Sequence, residues 1–266
     1  MDESKLVCLR LSRPAGGVLQ ITLDRPDLMN RVDEDFHREM IEVLGEVAGD
    51  RSVRAIVLAA TGKVFSAGGD FDFMRQAHAD VDVRQRTVDD GRRLADAFMI
   101  IPQPIVAAVH GAAIGVGATL VLLCDAVVAA RAAKIADTHV AVGLVAGDGG
   151  CVAWPHSAGM LRARRYLLTG DALDAATAHT FGLVTDLVDT PEETLAVALD
   201  IAGRMAARAP LAVQGTKRAL NRLTAQRAGE VLDLSFALEQ QTLASEDLLE
   251  GINAFQERRP PEFRGR

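Results

Sequence analysis

The chain has 266 residues, 49% of them apolar, which is ample for a large buried core and excludes a disordered chain. Its formal net charge is −7 and it has no long Lys/Arg block, which argues against nucleic acid or an anionic membrane surface as partner and points to a small substrate. Cys8, Cys124 and Cys151 are odd in number, far apart and without CxxC spacing, so neither a disulfide framework nor a zinc site is indicated, and a reducing cytoplasm fits best. Asp2, Glu3 and Lys5 make the first five residues a charged stretch without the apolar core of a signal peptide. Two β-type runs, 7–11 and 18–23, flank Pro14-Ala15-Gly16-Gly17 and predict an opening hairpin. A loop over 24–30 leads to Asp33, a predicted cap for a helix carrying Phe36, Met40, Ile41, Leu44 and Val47, and a strand follows at 54–60.

The sequence FSAGGDF at 65–71 then forms a glycine-rich turn, with Asp70 placed to cap the helix behind it. A helix over 81–99, a strand at 105–109 and a second turn containing Gly111, Gly115 and Gly117 come next. A further helix starts near 116, and a strand is expected at 126–130. Residues 97–124 lack Asp, Glu, Lys and Arg, but Pro102, Pro104, His110 and the glycines cut the stretch into a buried strand, turn and helix rather than a membrane span. The alternation predicts an α/β core over 1–190. Beyond Pro191 a helical C-terminal region is expected, with helices near 192–208, 211–226, 229–243 and 246–257.

Turns of this kind expose backbone N–H groups where no side chain intervenes, and two facing each other would make an oxyanion hole. Gly62-Lys63 is not a phosphate loop, because Val57 stands where the upstream glycine belongs and no Ser or Thr follows Lys63. There is no GxGxxG fingerprint after a strand and no GxSxG elbow. His37, His78, His156 and His179 read as surface or satisfied histidines, and His110 as a packing or hydrogen-bonding residue of the second turn.

Several segments together resemble the crotonase (enoyl-CoA hydratase/isomerase) superfamily over nearly the full chain: Asp24-Arg25-Pro26, the 65–71 turn, AAVHGAAIGVGATLVLLCD at 107–125, the 143–155 run, Leu168-Thr169-Gly170, Gly182-Leu183-Val184, and the tail around Ser245 and 254–260. The resemblance implies a spiral of ββα units with a C-terminal helical trimerisation region, assembled as a homotrimer or a dimer of trimers. It implies an acyl-CoA thioester as ligand, with coenzyme A part of the substrate and no separate cofactor or metal. The oxyanion donors would be the N–H groups of Gly69 and Val116, and Arg25, Ser66, Ala67, Gly68, Arg258 and Arg259 would hold coenzyme A.

At the two positions where family hydratases carry glutamates this chain has Thr119, which the resemblance leaves as a substrate-binding residue, and His139. His139 with Asp148 nine residues on resembles the β-diketone hydrolase branch of the superfamily, of which 6-oxocamphor hydrolase is the example. A carboxylate on one ring nitrogen would make the other a competent general base. Alternatively, Asp148 caps a helix beginning near Gly149 and His139 ends a strand. Three functions follow: an enoyl-CoA hydratase/isomerase-type enzyme using His139 and Asp148, a carbon-carbon hydrolase of β-diketones, and a non-catalytic acyl-CoA binder.

Overall fold

A computed structural model describes residues 3–14 and 16–266. Met1, Asp2 and Ala15, the last in the predicted hairpin turn, lie outside the described residues. Strands β1 (Leu9–Ser12) and β2 (Val18–Leu23) pair antiparallel with Leu9 opposite Leu23, so the predicted hairpin is present. Helix α1 (Glu34–Gly49) starts where Asp33 accepts the Phe36 N–H, and its buried stripe includes Phe36, Met40, Leu44 and Val47. Strand β3 (Ala55–Ala60) leads through the first glycine turn to α2 (Phe71–Ala79) and α3 (Val81–Ile100). The next segment comprises β4 (Ile105–Val109), β5 (Ala113–Ile114), α4 (Val116–Leu122), β6 (Ala126–Ala130) and β7 (Lys134–Ala136). The uncharged stretch at 97–124 is thus a helix end, two strands and a short helix, and among the described residues no helix is long and apolar enough to cross a membrane.

The chain continues through α5 (Gly150–Ala158), α6 (Met160–Leu167), β8 (Leu173–Asp174), α7 (Ala175–Phe181) and β9 (Asp186–Val188), then α8 (Glu193–Ala206), α9 (Pro210–Leu243) and α10 (Glu246–Glu257). One sheet has the order β1-β2-β3-β4-β6-β9, parallel beyond the first pair, and a smaller sheet has the order β5-β7-β8. Along β3 the residues alternate, as the two-residue period of a strand requires: Ile56 and Leu58 join the main core with Phe36 and Trp154, while Ala55, Val57 and Ala59 meet Ala198, Ile201, Ala202 and Ala206 of α8. Small residues on both partners let α8 lie close against the sheet, so this helix covers the core although it falls beyond residue 190.

The expected break between 226 and 229 does not occur, and α9 runs unbroken for 34 residues. Gly229 costs the helix about 1 kcal/mol relative to Ala, which the buried stripe of Ala228, Leu232, Phe236 and Leu243 offsets. Lys217 on α9 donates to the Gln103 carbonyl at 2.9 Å and to Asp125 Oδ2 at 2.7 Å, and the same oxygen accepts the Ile105 N–H. That buried clamp ties α9 to the start of β4 and sets which turn of the helix faces the glycine turns.

Candidate functional site

The two glycine turns are stitched together by backbone hydrogen bonds. Phe65 and Ser66 donate to the Ala112 carbonyl, and Ile114 donates to Ser66 O at 3.0 Å. Gly68 (φ +89°) and Gly115 (φ +54°) adopt left-handed conformations, and a Cβ on Gly68 would sit 2.9 Å from Ile114 O. Only glycine permits both this conformation and this approach. Gly68 O accepts from Val32 N, and Asp70 N donates to Val32 O, so the N–H of Gly69 between them points away from Val32. Val116 is the first residue of α4, and its N–H has no acceptor within the helix. Both residues line one cleft, together with His37, Phe73, Thr87, Val88, His139, Asp148, Phe236 and Glu239.

His139 begins a short 3-10 turn after β7, and both its ring nitrogens are engaged. Asp137 Oδ1 lies 2.7 Å from Nδ1 and Asp148 Oδ2 3.2 Å from Nε2. Burial alone would push this imidazolium down, but the two carboxylates outweigh it and hold its pKa well above the ordinary value. The expected neutral base is therefore a cation at neutral pH, its Nδ1 hydrogen-bonded to Asp137 and its Nε2 in an ion-pair contact with Asp148. Asp148 is the group that profits: burial would raise its pKa, and the His139 cation, the Thr119 hydroxyl at 3.2 Å and the Gly150 N–H together depress it. Asp148 does not cap α5, whose cap is Gly149 with no side-chain bond.

Glycines let this loop pack so tightly. A Cβ on Gly147 would meet Glu239 Oε2 at 2.6 Å, one on Gly150 would meet Asp137 Oδ2 at 2.5 Å, and one on Gly149 would meet Thr119 Cγ2 at 2.9 Å. Glu239 comes from α9, is 9% exposed, and its Oε2 has no hydrogen-bond partner. Burial, reinforced by the Asp148 charge, pushes its pKa up to about 8, so it is a neutral acid at pH 7. Of the carboxyls lining the cleft, Asp148 is held ionised and Glu239 protonated, an arrangement suited to taking a proton at one place and delivering it at another.

The sequence profile of the enoyl-CoA hydratase/isomerase family matches residues 13–266. The chain belongs to that family. It is 33% identical to the 2,3-dehydroadipyl-CoA hydratase of Escherichia coli K12 over 99% of this chain and all of that protein. It is also 33% identical to the 1,2-epoxyphenylacetyl-CoA isomerase of the same organism, over 96% of this chain and 98% of the relative. The crystal structure of an enoyl-CoA hydratase/isomerase from Mycobacterium paratuberculosis superimposes with a TM-score of 0.88 at 36% identity, covering 92% of this chain and 97% of that one. The mixed α/β fold with its C-terminal helices is the crotonase fold of these proteins.

Within this crotonase fold the sequence-named residues divide by position. Gly69, Val116, His139 and Asp148 come together at the cleft. Ser66 and Thr119 do not line it; both are fully buried behind it, Ser66 bridging the Asn30 carbonyl and the Gly68 N–H, Thr119 donating to Asp148. Ala67 donates its N–H to Met29 O, which anchors the rim. Arg25 is committed to a two-pronged pair with Asp33 and to the Arg31 carbonyl, so it organises the 24–33 loop. Arg259 pairs with Glu250 and Glu257, and Arg258 ends α10 in a left-handed conformation. Asp70 caps α2 through the N–H groups of Asp72 and Phe73, and His110 bonds Gly62 O at 3.0 Å, both as expected.

Three residues of the site escape the sequence reading, of which Glu239 and His37 line the cleft and Asp137 lies buried behind it. Asp137 stands two positions before His139, too close to catch attention as a partner. Glu239 occupies the same helical stripe as Leu232, Ser235, Phe236 and Leu243, and a glutamate at such a buried position was the available signal. His37, expected to be an ordinary satisfied histidine, lines the cleft from α1.

Proposed function

We propose that the protein is an acyl-CoA enzyme of the enoyl-CoA hydratase/isomerase type, in which the N–H groups of Gly69 and Val116 receive the thioester oxygen as negative charge develops on it. The observation that carries this reading is that Asp148 and Glu239 line one cleft with Gly69 and Val116; the His139 cation beside Asp148 holds its pKa down, and burial pushes that of Glu239 up to about 8. Asp148 takes a proton from substrate or water, and Glu239 supplies one to the enolate carbon. His139 and Thr119 keep Asp148 ionised, so His139 acts as a positioning cation and not as the base. Two N–H donors aimed at an enolate oxygen contribute most in the transition state, where the charge is largest.

The β-diketone hydrolase reading asks for a ring nitrogen of His139 that is free to activate water, and both nitrogens face carboxylates. A homotrimer or dimer of trimers belongs to the same proposal, supported by the exposed Leu211, Leu220 and Leu223 along α9. The test is steady-state turnover of a chain-length panel of 2-enoyl-CoA and 3-enoyl-CoA thioesters. Turnover that falls at least a hundredfold in both Asp148→Asn and Glu239→Gln, with acyl-CoA binding retained, supports the reading; undiminished turnover in either variant refutes the role given to that carboxyl.

A further inference from the structure

His37 lies on the first turn of α1, is 7% exposed and lines the cleft. Its Nδ1 is 2.9 Å from the Asp33 carbonyl oxygen, which also accepts the His37 backbone N–H. A carbonyl can only accept, so the ring proton sits on Nδ1 and Nε2 is left with a lone pair. Burial holds the ring below its ordinary pKa despite Asp33, Asp90 and Asp148 nearby, so the uncharged tautomer persists. The Phe73 ring lies beside it, with centroids 6.4 Å apart, and Val88 and Phe236 line the same cleft.

No group of the described residues supplies the proton that Nε2 would accept. Thr87 lines the same cleft, but its hydroxyl proton goes to Val83 O. Asp70 is acceptor-only when ionised and is spent on capping α2 and on Arg31 at 3.3 Å. Glu239 Oε2 has no partner, so it does not meet His37 either. The residue is 7% exposed, and a purely hydrocarbon acyl group that fills the cleft leaves Nε2 without a donor in place of the water that can reach it in the open cleft.

We infer that the acyl group of the natural substrate carries a hydroxyl beyond its β-carbon, and that this hydroxyl donates to His37 Nε2. The inference rests on the acyl-CoA reading proposed above and narrows it to hydroxylated acyl thioesters. His37 is then a specificity residue, remote from the bonds that change. Because Nε2 is neutral and fixed, it selects a neutral donor over a carboxylate, which would meet a second acceptor there.

Calorimetric titration of the full chain with hexanoyl-CoA, with its 4-, 5- and 6-hydroxy forms and with the corresponding methyl ethers tests this. At least one hydroxy ester is expected to bind roughly tenfold more tightly than hexanoyl-CoA, and its methyl ether, which keeps the bulk without the donor, is expected to lose that gain. In His37→Phe the difference between the favoured hydroxy ester and hexanoyl-CoA should vanish. If hexanoyl-CoA binds but no hydroxy form binds better, or if His37→Phe keeps the preference, this inference is overturned and the acyl-CoA reading stands. If none of the thioesters binds, both are overturned. The alcohol and ether comparison in the unaltered protein decides the matter even where His37→Phe does not fold.

Discussion

Replacing Glu239 by Gln keeps the size of the side chain and imitates its protonated form at every pH. The carboxyl titrates near 4.5 in the unfolded chain and near 8 in the folded one, so between those values the folded protein holds a proton that the unfolded chain has released. Stability must therefore fall as pH rises through this window, at up to about 1.4 kcal/mol per pH unit. At pH 7 the accumulated cost, over the 2.5 units above 4.5, is at most about 3 kcal/mol relative to a side chain that never ionises. Urea denaturation of wild type and Glu239→Gln, at fixed protein concentration and at pH 4.5, 6, 7 and 8, measures the difference directly. The variant should match the wild type near pH 4.5, then gain steadily, reaching its largest advantage near pH 8. A stability difference that does not change with pH would mean that Glu239 is ionised in the folded state, which would remove it as the acid of the mechanism.

Three further outcomes test the neighbouring groups. Val116→Pro deletes one of the two proposed oxyanion donors at the first position of α4, where proline is tolerated, and should lower kcat about a hundredfold to a thousandfold with KM little changed, read by steady-state kinetics. His139→Gln leaves Asp137 and Asp148 buried without their cation and should cost about 3–5 kcal/mol of stability in denaturant. The raised pKa of His139 makes its contribution full below 6.5 and lost as pH climbs through the folded value, while the lowered pKa of Asp148 makes its own lost in acid; the deficit should thus be largest between about pH 4 and 6.5 and persist at neutrality. Thr119→Val removes the hydroxyl that donates to Asp148, so the acid limb of the rate profile should move to higher pH by less than about one unit, with about 1 kcal/mol lost in stability.

The opening hairpin, the Asp33 and Asp70 caps and both glycine turns were legible because each is written in a few consecutive residues whose backbone demands are local. The small strands β5, β7 and β8 were not, since runs of two or three residues carry no period. The continuity of α9 was missed because Gly229 reads locally as a stop, and what keeps the helix going is packing against α3 and α5. At the site, His139 and Asp148 were recognisable as a pair from their spacing, but the charge of the imidazole depends on Asp137, which only the fold turns toward Nδ1. Glu239 lies some ninety residues further along the chain and reaches the cleft because Lys217 registers α9 against β4.

That registration explains how carboxyls so close together can differ in charge. Asp137 and Asp148 share one cation and donate nothing, while Glu239 approaches the same cluster from α9 with no cation of its own and no donor on Oε2. A third negative charge there would meet two others in a buried setting, and taking up a proton is the cheaper outcome. The loop glycines at 147, 149 and 150 enforce this closeness, because a side chain at any of them would push Glu239, Thr119 or Asp137 away. The opposed protonation states of Asp148 and Glu239 are therefore a property of the packing between α9 and the 147–150 loop. Any change that loosens that packing should bring the two pKa values together before it unfolds the chain.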